Sequence, residues 1–217
     1  MAPNPPNVRN RPGAAGPVLW SGDHMATTQK APAKAVTPRG VNHIVLNVRD
    51  IEVSHRFYTE ILGFHQVAAL KPKPDRPPLT MRFYSGVDEQ GHVNHHDLAL
   101  CQLPKADGPQ PAEWDLYPQR PGINHIAITL PDRESWLQQL AFLQEQGVKF
   151  HRRINHGMTH SVYISDPDGN GIEVLYELAP EVWEDIDAAQ NYSERLPTEG
   201  AEALVDTTDN PVFRKSS

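Results

Sequence analysis

Thiol chemistry is nearly absent from this chain: Cys101 is the one cysteine among 217 residues. No intrachain disulfide can form, so a reducing cytoplasm is the expected location. No apolar run approaches the roughly 18 residues that a membrane-spanning helix needs, which excludes a bilayer partner. Positive charge is short as well. With a formal net charge of −7, the chain has no basic face to displace counterions from a nucleic acid, and that partner class is excluded too. The first 37 residues lack the apolar centre of a secretion signal and scatter Pro, Gly and Asn instead. Residues 1–37 are therefore expected to be a disordered leader. Met25, after Ser-Gly-Asp-His, is a plausible native start, which leaves residues 1–24 as an upstream extension or an added segment.

What is present is a repeat. "GVNHIVLNVRD" (Gly40–Asp50) and "GINHIAITLPD" (Gly122–Asp132) share Gly, Asn, His, Ile and Asp at the same offsets, and His43 and His125 lie 82 residues apart. Each copy reads as a strand followed by an aspartate placed to cap a helix. In the first, Ile51, Phe57, Tyr58, Ile61 and Leu62 give the helix an apolar face, and Gly63 ends it. In the second, Trp136, Leu137, Leu140, Phe142 and Leu143 do the same, and Gly147 ends it. Three strand-like runs follow each helix: "FHQVAAL", "TMRFYSG" and "HHDLALCQL", then "VKFHRRI", "HSVYISD" and "GIEVLYEL". The Pro-rich "KPKPDRPP" and the turn "DPDGNG" punctuate them. The order predicts an α+β fold of two βαβββ modules, over 38–104 and 122–178. A linker over 105–121 joins them. Residues 179–217 read as a C-terminal extension: one helix over "EVWEDIDAAQNYSERL", then a polar tail that wraps the surface or a neighbouring subunit. That long tail favours a homo-oligomer.

A lone histidine in a buried strand is more often a core residue than a ligand. Two at repeat-equivalent places shift the balance, because a pseudo-twofold would aim both imidazoles at one axis, where a common metal ion could bind them. A carboxylate to neutralise such an ion is found at Glu173. It lies inside the apolar run Ile172–Val174, where an unpaired charge would cost several kcal/mol. Glu177, nearer the strand end, reads as solvent-exposed. His24, His55, His65, His92, His95 and His151 read as surface residues, and Cys101 as core rather than nucleophile.

"SHRFYTEILGF" after "NHIVLNVRD", together with "HSVYISDPDGNGIEV", resembles the vicinal oxygen chelate superfamily of glyoxalases, fosfomycin-resistance proteins, epimerases and type I extradiol dioxygenases. The resemblance covers roughly residues 38–178, implies that the two modules pair into a cupped sheet around a metal site, and places the metal ligands on His43, His125 and Glu173. "HHDLAL" is similar to a strand of ring-cleaving extradiol dioxygenases, which carries a catalytic histidine onto His96. "NHGMTHSVYISDPDGN" is similar to a dioxygenase segment that carries a second-sphere histidine onto His156, with His160 as the alternative, and a tyrosine onto Tyr163. What the resemblance implies is a catechol-type substrate cleaved with O2 at Fe(II), with Mn(II) suiting the same donors. The other activity it allows is a glyoxalase- or epimerase-type lyase or isomerase, whose mark would be a fourth ligand at Asp97. Because the leader has no apolar pattern to bury, deleting residues 1–37 is expected to leave the thermal melting temperature nearly unchanged in a calorimetric scan.

Overall fold

Two aspartates start the helices of the repeat. Asp50 and Asp132 sit in extended backbone, and their carboxylates accept from the first free N–H groups: Glu52 N at 2.9 Å from Asp50, Ser135 N at 2.7 Å from Asp132. Each cap satisfies donors that a helix end otherwise leaves bare. The structure, a computed structural model, describes residues 40–71, 79–103, 114–116, 122–206 and 210–215. The expected leader, the Pro-rich loop over 72–78 and most of the linker lie outside the described residues.

The fold is α+β. In the first module β1 (Ile44–Val48) leads to α1 (Ile51–Arg56), β2 (His65–Ala69), β3 (Met81–Ser85) and β4 (Leu98–Gln102). In the second, β5 (His125–Thr129) leads to α2 (Arg133–Glu145), β6 (Arg152–Asn155), β7 (Thr159–Ser165) and β8 (Gly171–Glu177). A last short strand, β9 (Glu194–Leu196), follows α3 (Ile186–Gln190). The sheets run β1-β4-β3-β2 and β5-β8-β7-β6-β9. In both, the first strand lies parallel to the module's last and the other pairs are antiparallel.

Alternation along the strands divides each sheet into two faces. Ile172, Val174, Val162 and Ile164 join Trp136, Leu140 and Leu143 of α2 in a core that continues into Leu46, Val48, Ile51 and Tyr58 of the first module. The seam between the modules is polar and specific. In the "DPDGNG" turn, Asp166 Oδ1 accepts from Asp168 N and Asn170 N, and its Oδ2 accepts from Tyr58 at 2.9 Å. Asp168 in turn accepts from Arg49 N and from Ser54 Oγ. The first module therefore grips the turn that delivers β8, and with it Glu173.

Two elements differ from the expectation. The first helix was expected to run unbroken over 51–62, but it is α-helical only to Arg56 and then opens into a π-helical turn over Phe57–Ile61. Thr59 Oγ1 donates to His55 O at 2.7 Å, and Gln139 Nε2 takes Ile61 O at 2.8 Å, so side chains satisfy carbonyls that the ordinary ladder would use. The expected C-terminal helix is instead a 3-10 turn (Pro180–Val182), α3 and β9. Asp185 caps afresh at Ala188 N, and the chain after Asn191 turns to add a strand to the edge of β6. Glu177 is exposed, as expected. Among the described residues no helix is long and apolar enough to cross a membrane.

The extension wraps the second module of its own chain. Buried Arg153 donates to the carbonyls of Pro197, Glu202 and Val205, and its guanidinium lies 5.2 Å from the Trp136 ring. Asp206, 6% exposed, accepts from His160 Nδ1 at 2.9 Å, Tyr176 OH at 2.7 Å and Arg133 Nε at 3.2 Å. Burial pushes the Asp206 pKa up, but the His160 and Tyr176 hydrogen bonds and the His160 and Arg133 charges outweigh it, and the net shift is downward. A carboxyl held below its unfolded value stabilises fully above the ordinary range near ~4 and loses that contribution as pH falls through the folded value. Asp206→Ala should therefore cost about 3 kcal/mol at neutral pH, and the deficit should shrink on acidification. Urea melts of both chains between neutral pH and acid check this; a deficit that holds constant to the acid limit contradicts it.

Candidate active site

Glu173 is the residue most at odds with its surroundings, a carboxylate 6% exposed between Ile172 and Val174. Its two oxygens have different partners. Oε2 lies 3.0 Å from His125 Nε2, and Oε1 accepts from Tyr163 OH at 2.9 Å. The sheet makes this possible, because Glu173 pairs with Ala127 on one side and Tyr163 on the other, so β5, β8 and β7 present their side chains to one face. His156, just after β6, brings Nε2 to 2.9 Å from Tyr163 OH. A tyrosine has one hydroxyl proton. With Glu173 receiving it, His156 Nε2 carries the N–H that Tyr163 accepts.

Burial first, then the Glu173 charge and hydrogen bond, raise the Tyr163 pKa, so the group stays a phenol and can donate. Burial also lowers the His156 pKa; the Glu173 charge opposes this, and His125 and His160 add to it. The result favours a neutral imidazole at neutral pH.

His125 is oriented from behind. Its Nδ1 lies 2.8 Å from Asn124 Oδ1, so Nδ1–H donates there and Nε2, which bears a lone pair in that tautomer, is turned to Glu173. A lone pair and a carboxylate oxygen in contact need a positive charge between them, either a proton that makes imidazolium or a metal ion that both bind. The donor chemistry of the pair thus suits a divalent ion. The repeat copies this device: His43 Nδ1 lies 2.8 Å from Asn42 Oδ1. The structure does not bring His43 to the pair, however. Its ring lies 4.4 Å from His96 and 6.3 Å from His95, in an exposed cluster at the end of β1. His95 and His96 contact each other through their Nδ1 atoms at 2.8 Å. Burial, then the His43 and His95 charges, lower the His96 pKa. Among the described residues no three His, Cys, Asp or Glu side chains are placed to share one ion.

The remaining candidates are placed as follows. His160 faces the other side of the sheet, fully buried against Asp206 and Asn210, so the histidine beside Tyr163 is His156. Asp97 accepts from Ser85 Oγ, Gly86 N and Asn94 Nδ2, which commits both oxygens to the loop between β3 and β4. Register identifies the first-module equivalent of Glu173. Val45 pairs with Ala99, and Ala127, 82 residues further on, pairs with Glu173. In the same way Phe83 stands where Tyr163 does.

A profile described as "Glyoxalase/Bleomycin resistance protein/Dioxygenase superfamily" matches residues 40–174. The chain belongs to that superfamily. Relatives divide between two activities. Biphenyl-2,3-diol 1,2-dioxygenase 3 of Rhodococcus globerulus is 29% identical over 139 residues, 64% of this chain and 63% of the relative. Catechol-2,3-dioxygenase of Bacillus subtilis is 30% identical over 146 residues, 66% of this chain and 44% of the relative. Lactoylglutathione lyase of Pseudomonas putida is 30% identical over 155 residues, 62% of this chain and 83% of the relative. The chain thus spans less than two thirds of either dioxygenase. A glyoxylase/bleomycin resistance protein/dioxygenase domain from Frankia sp. EAN1pec shares the fold, with a TM-score of 0.50 and 20% identity over 65% of this chain and all of that one.

Four residues around the repeated histidines and Glu173 escaped the sequence reading. Asn42 and Asn124 were signalled by their place before each repeated histidine. His151, read as surface, lies with its ring 5.8 Å from Trp114 and bonds Ser165. Trp114 gave no signal: it belongs to the linker, yet its ring stacks on Tyr163 at 5.4 Å and 5°, and its Nε1 donates to Asn124 O at 2.6 Å. Gly171 makes room for it. A Cβ there would overlap the indole nitrogen and come 2.7 Å from Asn124 O. Gly171→Ala should displace Trp114 from Tyr163 and cost about 1–3 kcal/mol, as overpacking does. Tryptophan emission should change as it does in Trp114→Phe; an emission spectrum identical to the wild type would contradict the packing.

Proposed function

We propose that the chain is a metal-dependent extradiol dioxygenase that opens the ring of a catechol-type substrate with O2. The observation that carries this reading is the buried Glu173 carboxylate shared by His125 Nε2 and the Tyr163 hydroxyl, with His156 behind it. An anionic ligand site with an adjoining phenol and a neutral imidazole suits a substrate that arrives as a diol and must lose a proton. Fe(II), or Mn(II), would be held by His125 and Glu173 with His43 as the third ligand. Bound there, the ion supplies a template for the two substrate oxygens and a path for electrons from the ring to dioxygen. His43 is exposed just before the edge strand β1, beside exposed Val41 and Val45. A homo-oligomer, in which a second copy offers this edge, is the assembly the reading favours.

The chain's own groups then have distinct tasks. Tyr163 presents a phenolic O–H at the edge of the Glu173–His125 pair and can hydrogen-bond a substrate oxygen there. His156 holds that phenol through Nε2 and can exchange a proton with it. His96 stays beside His43 and serves as the acid–base on the dioxygen side. Both atoms of O2 end in the product, a muconic-semialdehyde-type acid, so no external reductant is needed. The lyase or isomerase reading lacks its fourth donor: Asp97 is committed to loop hydrogen bonds, and Ala99 stands at the position equivalent to Glu173.

Anaerobic loading with Fe(II) and a panel of catechols in air tests the proposal. Oxygen uptake and a yellow ring-fission product are expected. His96→Gln should keep the metal and the bound catechol but lose a factor of about 10²–10⁴ in turnover, the usual contribution of a positioned acid or base. Glu173→Gln should lose the metal. No oxygen uptake with any catechol, by protein shown to hold iron, would overturn the assignment.

A further inference from the structure

We propose that the C-terminal tail is part of the catalytic apparatus: Phe213 and Asn210 are positioning residues that hold the turn bearing His156 against Tyr163. This rests on the catalytic reading of His156 given above. His156 opens the turn between β6 and β7, with its N–H on Thr159 O at 2.9 Å and Asn155 Oδ1 taking Gly157 N at 2.8 Å. Gly157 has φ +78°, a left-handed value that favours glycine. A Cβ on it would lie 2.5 Å from Phe213 Cε2 and 3.2 Å from Tyr192 Cδ1, so the tail's aromatic ring rests directly on the backbone next to His156.

Phe213 is itself fixed. Its N–H donates to Val182 O at 2.7 Å, its carbonyl accepts from Asp185 N at 2.9 Å, and its ring lies 5.6 Å from that of Tyr192. The far end of the turn is held by a second tail residue. Asn210 Oδ1 lies 2.6 Å from His160 Nε2 and 3.5 Å from Asn155 Nδ2, and both partners are fully buried. The turn is thus clamped on both sides by residues 210–213, which lie beyond the two modules. Strand pairing holds the ends of the six-residue span from Asn155 to His160, and Leu178 N donates to Met158 O at 2.8 Å, but the left-handed Gly157 beside the imidazole is covered by the tail's Phe213 together with Tyr192. An imidazole displaced by about 1 Å loses its hold on Tyr163, and misplacement of that size costs up to about 10²-fold in rate.

The His156 Nε2–H proton gives a readout independent of turnover. Held against Tyr163, it should exchange slowly with water and appear in an imidazole-region NMR spectrum, assigned by its loss in His156→Gln. In Phe213→Ala that signal should disappear while the melt stays cooperative, and kcat on the best catechol should fall about 10- to 100-fold with KM within about twofold. Phe213→Leu, which keeps an apolar body on Gly157, should restore most of both. Asn210→Ala provides the same test from the other side should Phe213→Ala fail to fold. An intact Nε2–H signal in either folded variant overturns the proposal, as does loss of rate that Phe213→Leu does not recover. Loss of the signal in a chain whose wild type takes up no oxygen with any catechol leaves the clamp standing and removes the dioxygenase reading instead.

Discussion

A carboxylate inside an apolar strand is the constraint from which the second module follows. Taking Glu173 out of water costs several kcal/mol unless both oxygens are met, and the sheet meets them from either side, through His125 on the parallel neighbour and Tyr163 on the antiparallel one. Each partner is held in turn: His125 by Asn124, and Tyr163 by His156 and the stacked Trp114. The contact between His125 and Glu173 calls for a positive charge, which a proton on the imidazole or a bound cation would each supply.

The repeat explains why the chemistry is not duplicated. Both modules carry the Asn-His pair and the same strand register, but Ala99 and Phe83 occupy the places of Glu173 and Tyr163. The first module therefore has an exposed imidazole with no carboxylate, surrounded by His95 and His96, and the second has the carboxylate. One carries His43 with His95 and His96; the other carries the buried anion with its histidine and tyrosine partners. Their shared seam at Asp166 and Asp168 belongs to the same division of labour, since side chains of the first module fix the turn from which β8 begins.

Much of this was legible because it rests on local rules. Caps at Asp50 and Asp132, stops at Gly63 and Gly147, and the turn at "DPDGNG" depend on residues within a few positions of one another, and a doubled histidine stands out against that background. The buried carboxylate was legible for the same reason, as a charged residue inside an apolar run. What the sequence could not show was action at a distance. The π-helical turn after Arg56 reflects the Thr59 hydroxyl and Gln139 of another helix, and the broken C-terminal helix reflects an open edge on β6. Trp114 is placed by Gly171, 57 residues later in the chain. Whether His43 joins His125 also lies outside any local pattern, because it depends on how the two sheets, or two copies, are brought together.

The extension shows how asymmetry was added to a symmetric frame. Arg153, His160 and Tyr176 lie on the helix-facing side of the second sheet, the side opposite Glu173, and all three bond to the tail or its Asp206. Alternation puts neighbours on opposite faces, so Arg152 and Tyr163 share a cross-strand pair on the site face while Arg153 next door anchors the tail. A buried guanidinium and a buried imidazole would be costly in a bare sheet, and it is the tail that makes them affordable there by supplying carbonyls and a carboxylate. In return they fasten the segment that reaches over the His156 turn. The first sheet has no such anchor residues among those described and no fifth strand. The module that holds the buried carboxylate is thus the one that is stiffened, as a preorganised site would require.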